Sequence, residues 1–192
     1  MRNSVLSQRG AMFGLDARIA MAIIAALSLV GGMTMFTTSA EVKAKALVKD
    51  IESYKAAIEG LQYDLKSSIH SQVTAAGVLN DKAFAALNDK TMLVAAAQNH
   101  WLGPYLKGRT GDITVHENYG QMHLIRASKD DYTDGTCTCY YWLQIDDVPQ
   151  EAFTEVDTII DGGAEATPAT LGLVRWASGT PDILYVRLGK SL

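Results

Sequence analysis

The chain has 192 residues and a mass of 20.8 kDa, the size of one domain or of one domain with an appendage. Hydrophobic residues make up 48% and charged residues 20%, which excludes a disordered tail or a collagen-like repeat. The net charge is −4 without any Lys/Arg block, which excludes nucleic-acid binding by a basic patch, and two cysteines exclude a disulfide-dense scaffold or a four-cysteine zinc site.

The mean hydropathy of +0.04 averages two unlike parts. Residues 19–36, IAMAIIAALSLVGGMTMF, carry no charge, and the acidic excess of the chain lies wholly beyond them. As a helix this run is about 27 Å long, the lower limit for crossing a bilayer core. Arg2, Arg9 and Arg18 precede it, and Glu41, Lys43, Lys45 and Lys49 follow it. The short arginine-bearing N-terminus is therefore placed in the cytoplasm. Three readings of the run stand side by side: a cleaved secretory signal ending at Thr38-Ser39-Ala40, an ordinary signal anchor, and a processed leader.

The third reading comes from Gln8-Arg9-Gly10-Ala11-Met12-Phe13-Gly14-Leu15-Asp16. A basic stretch ends in small residues, then come a short apolar step, one acid and the apolar run. This arrangement resembles the leader of type IV pilins and pseudopilins. In that family a prepilin peptidase cuts after a small residue, usually Gly, and an acid, usually Glu, sits five residues beyond the cut. The spacing to Asp16 favours cleavage between Ala11 and Met12, while Gly10 is the usual residue type before the cut. The resemblance gives Asp16 a role in subunit docking, neutralising the new and commonly methylated α-amino group of a neighbour. The plainer reading is an acid favoured by the helix dipole.

Beyond the run, Val42, Leu47, Ile51, Tyr54, Ile58, Leu61 and Leu65 recur at spacings that settle to 4, 3, 4, 3, 4, one apolar stripe of a helix. Residues 12–66 thus read as one helix about 80 Å long. Its weakest point is Gly31-Gly32, where family members often loosen the helix during assembly; the same pair also permits close helix packing. The expected organisation is a leader at 1–11, a hydrophobic transmembrane or filament-core helix at 12–36, an amphipathic continuation at 37–66 and a globular head at 67–192.

The head reads as α+β. Residues 73–79 and 82–87 look helical, with Asn80-Asp81 between them as a cap. Trp101-Leu102-Gly103-Pro104-Tyr105-Leu106 resembles the segment that closes the loop between helix and sheet in pilin heads; Gly and Pro supply the turn and the aromatics the packing. Strand-like runs follow at 113–115, 121–127, 139–145, 171–176 and 183–188, separated by Gly-containing turns and by no useful helix except 149–156. A meander-like antiparallel sheet is expected, and with it the fold class α+β: a long N-terminal helix, membrane half plus amphipathic half, packed on a small antiparallel head. The order of Val148-Pro149, Asp161-Gly162-Gly163 and Gly172-Leu173-Val174-Arg175 also resembles pilin-like heads.

No nucleophile elbow, P-loop, dinucleotide fingerprint or His-Glu-x-x-His motif is present, so no enzyme is expected. His70, His100, His116 and His123 lie on separate segments, and His116 and His123 are placed to meet across a hairpin. Asp157, Asp161 and Glu165 on a Gly-containing loop are compatible with calcium or with a plain acidic loop. Cys137 and Cys139 share one strand face and read as a local disulfide or as two packed thiols. The implied function is a filament subunit, a homo-oligomer whose partners are the prepilin peptidase, the inner-membrane assembly machinery and, before assembly, membrane lipid. It would localise to the inner membrane and then to a periplasmic or cell-surface filament. The alternative is a monomeric, membrane-anchored extracytoplasmic binding domain.

Overall fold

The computed structural model describes residues 9–74, 79–107, 112–133, 139–163 and 171–192; the side chains of residues 9–18 and 26–40 lie outside that description. By contacts the chain divides into two compact units, Met1–Ala40 and Glu41–Leu192.

Helix α1 has helical backbone from Arg9–Leu65. Within the second unit its apolar stripe is buried: Ala44, Leu47, Ile51, Tyr54, Ala57, Ile58 and Leu61 are each at most 4% exposed. They recur every three or four residues because 3.6 residues complete a turn, so they share one face. Val42, at 60% exposure, is not part of that face, and Ala44 takes its place. Short helices α2 (Ile69–Gln72) and α3 (Leu79–Ala85), a 3-10 turn at Lys90–Met92 and α4 (Ala95–Gln98) lead to the sheet. Asn80 and Asp81 fall inside α3, not between two helices.

Strands β1 (Met122–Ala127) and β2 (Tyr140–Asp146) are followed by helix α5 (Gln150–Ile160) and strands β3 (Val174–Ala177) and β4 (Ile183–Lys190). The sheet is antiparallel with order β1-β2-β4-β3. It is therefore not a simple meander: α5 intervenes after β2, β3 takes the edge, and β4 returns between them. Residues 113–115 form no strand; Val115 makes only an isolated bridge to Gln121.

Alternation along the strands sends two sets of side chains to opposite faces. Met122, Leu124, Leu143, Ile145, Val174, Leu184 and Val186 join the helical stripe in the main core. On the other face Trp142, Tyr185 and Ala127 form a second cluster. The loop at residues 128–133 closes over it. Trp142 Nε1 donates to the Ser128 carbonyl at 2.9 Å, Tyr132 stacks on Tyr185 at 3.9 Å, and the Arg175 guanidinium sits 4.9 Å above the Trp142 ring. In α5 the buried face is Ala152, Phe153 and Val156, with Phe153 stacked on Trp176 of β3.

The expected fold is corrected in one respect. Among the described residues no helix is long and apolar enough to cross a membrane. What packs on the sheet is a 25-residue amphipathic segment, residues 41–65, not a long N-terminal helix with a membrane half. The physical reason is the burial pattern: among the described residues the first buried position of the stripe is Ala44, whereas Ile19, Met21, Ile23 and Ile24 upstream are 52–67% exposed. The fold is α+β with a four-stranded antiparallel sheet.

Candidate functional site

Of the leader and docking residues, Gly10, Ala11, Met12, Asp16, Gly31 and Gly32 have helical backbone, but their side chains lie outside the described residues. The described side chains of that segment are those of residues 19–25, where Ile19, Met21, Ile23 and Ile24 are all exposed. These positions do not share one stripe. They are distributed around the helix, which makes it apolar on every described side.

Polar contacts tie the head to residues 41–65. The Tyr105 hydroxyl donates to Asp64 Oδ2 at 2.5 Å and accepts from the Leu102 amide at 3.1 Å. Burial, with the hydrogen bond to Asp64, pushes the Tyr105 hydroxyl up to about 12. Its ring lies against Gly60, and a Cβ on Gly103 would meet the Trp101 and Tyr105 rings at 2.7 Å. The Trp-Leu-Gly-Pro-Tyr-Leu segment thus lies over the end of α1. Farther up, His116, 3% exposed, contacts Asp50 Oδ2 at 3.2 Å. Gln62 Nε2 donates to the Lys190 carbonyl at 3.3 Å.

His116 and His123 do not meet. His123 bridges Asp81 of α3 through Nδ1 and lies 3.6 Å from Asp146 of β2 through Nε2. His70 Nε2 is 2.8 Å from the Leu124 carbonyl, which can only accept, so Nε2 carries the proton. Burial lowers the His70 pKa from 6.5, and the nearby Arg126 charge lowers it further, against the opposing hydrogen bonds to Asn80 and Leu124. The histidines thus serve as joints between elements; the sequence shows them, but their aspartate partners lie 66 and 42 residues away.

Among the described residues, the hydrogen bonds found at His70 and His123 reach Asn80, the Leu124 carbonyl and Asp81. Compared with known proteins, the chain matches no family model, no curated protein and no solved structure.

The remaining predicted residues are spread out. Asp161 caps α5, and its Oδ2 accepts the amides of Leu173 and Val174, both at 2.8 Å, which fixes the start of β3. Asp157 is buried on α5, and Glu165 lies outside the described residues. Among the described residues no group of three or more His, Cys, Asp or Glu is arranged to hold a metal ion. Cys139 is buried at the start of β2, and Cys137 lies outside the described residues.

A recurring signal went unread in the sequence. Asp89-Lys90-Thr91, Asp112-Ile113-Thr114 and Asp131-Tyr132-Thr133 each turn the chain with one device. The aspartate Oδ1 accepts the amide and the hydroxyl of the threonine two residues on. The threonine side-chain and backbone hydrogen bonds hold all three carboxyls below their usual value. The Asp-x-Thr spacing was there to find.

Proposed function

We propose that this protein is a structural, non-enzymatic subunit of a type IV pilus-like or secretion pseudopilus-like filament. Copies are joined through the N-terminal part of α1, and the head forms the filament surface. The observation that supports this reading best is the bare apolar helix: Ile19, Met21, Ile23 and Ile24 are 52%, 67%, 54% and 62% exposed. A helix apolar all round needs apolar surroundings on all sides. Leaving such side chains in water costs about 25 cal/mol per Å² of apolar surface. Other copies of the same segment supply those surroundings, and lipid supplies them before assembly.

Asp16 fits this reading. After cleavage beyond Ala11 or Gly10 by a prepilin peptidase, its carboxylate pairs with the new α-amino group of a neighbouring subunit. Such a desolvated pair adds little net stability but penalises wrong registers, because leaving one charge unpaired costs several kcal/mol. The assembly machinery would act at the inner membrane and leave the head outside the cytoplasm.

The test is the mature N-terminus, read by mass spectrometry on the protein isolated from its own cells. The proposal expects a start at Met12 or Ala11 with a methylated amine. An intact Met1, or a start at Glu41, contradicts it and favours a monomeric anchored binding domain.

A further inference from the structure

Where α1 ends, the chain turns through Lys66, which adopts a left-handed φ of 51°. Beside this turn lies a cleft of about 560 Å³, within the range of small-molecule sites. It is bounded by Lys66, Arg126 of β1, His70, three serines and the apolar side chains of Leu79 and Leu192. Among the described residues no acidic side chain lines it, in a chain with more acids than bases. Among the described residues neither Lys66 nor Arg126 makes an ion pair.

A chain of hydrogen bonds runs inward from Arg126. Arg126 Nε donates to Ser191 Oγ at 3.1 Å, and among the described residues no acceptor is found for its outer guanidinium nitrogens. Ser191 Oγ donates to Ser68 Oγ at 3.1 Å, and Ser68 Oγ lies 3.3 Å from the Tyr141 hydroxyl. That hydroxyl already accepts the Ile69 amide at 2.7 Å. Lys66 and Arg126 thus border the cleft, and Leu79 (45% exposed) and Leu192 (66% exposed) leave apolar surface bare at the same place.

We propose that this cleft binds a small amphiphilic anion, a carboxylate or phosphate head carried on an apolar body, with Lys66 and Arg126 holding the head and Leu79 and Leu192 the body. Charge-assisted hydrogen bonds are about twice as strong as neutral ones, and a planar guanidinium presents paired donors to either head group.

The test is calorimetric titration of the full-length chain in non-ionic detergent with hexanoate, hexyl phosphate, inorganic phosphate and hexanol. Saturable binding of hexanoate or hexyl phosphate is expected, and which of the two binds identifies the head. Lys66→Gln, at an exposed position, and Arg126→Gln should each weaken it about tenfold or more, while Arg126→Lys retains part of it. Correct folding of each variant is checked by its unfolding midpoint. Absence of saturable binding by both amphiphiles, equal affinity in Lys66→Gln, or equally tight binding of hexanol would overturn the proposal. Inorganic phosphate binding as tightly as hexyl phosphate would remove the apolar half of the site and overturn it as stated.

Discussion

His70 shows how a single side chain sets a condition on the fold. It is held by the Leu124 carbonyl and Asn80, stacks on Tyr141, and has its pKa lowered below 6.5 by burial and by Arg126. The unfolded chain therefore binds a proton more readily than the folded one. The stability associated with neutral His70 is complete above pH 6.5 and is lost as the pH falls through the lower, folded value. Denaturation midpoints measured between pH 8 and about pH 5 should fall on acidification, and His70→Gln should flatten part of that slope. An unchanged slope in the variant would remove this role. At the same scale, the Asp-x-Thr turns were legible in the sequence, because an aspartate two residues before a threonine is a local device. The His116–Asp50 and His123–Asp81 contacts were not, because their partners are brought together only by the packing of elements distant in sequence.

At the scale of elements, periodicity carried most of the information. The spacing from Leu47 to Leu61 marks the face of α1 that meets the sheet, and all five stripe residues in that stretch are buried. It failed at Val42, where the apolar residue falls off the face and Ala44 sits on it. Alanine is too weakly hydrophobic to announce a core position, so that boundary could not be read from pattern alone. The consequence is measurable. Leu47→Ala removes a side chain with 0% exposure and should cost about 2–5 kcal/mol, whereas Val42→Ala, at 60% exposure, should cost under about 0.5 kcal/mol. Chemical denaturation distinguishes the two, and equal effects would mean that the stripe is not the packing face. Four of the five expected strands are present, but their order was not legible. Strand order depends on α5 carrying the chain to the β3 edge, and sequence spacing says which segments are strands, not which are neighbours.

At the scale of the molecule, the two compact units have opposite needs. The unit Glu41–Leu192 satisfies itself: its stripe, sheet and second cluster bury their own apolar surface. In Met1–Ala40 the described side chains from Ile19 to Ile24 are bare. The contrast was visible in the sequence as a near-neutral mean hydropathy split between an uncharged run and an acidic remainder. What the sequence suggested and the fold does not bear out is a membrane-spanning half packed with the rest on the sheet. A run at the lower limit of bilayer thickness does not by itself specify that architecture. The central claim is that copies of this chain cover one another's apolar helix. The most direct measurement places a photo-crosslinking amino acid at Ile24 in the cells that make the protein. The account predicts a ladder of crosslinked products at integral multiples of the chain mass. Monomers crosslinked only to lipid, or to nothing, would contradict it.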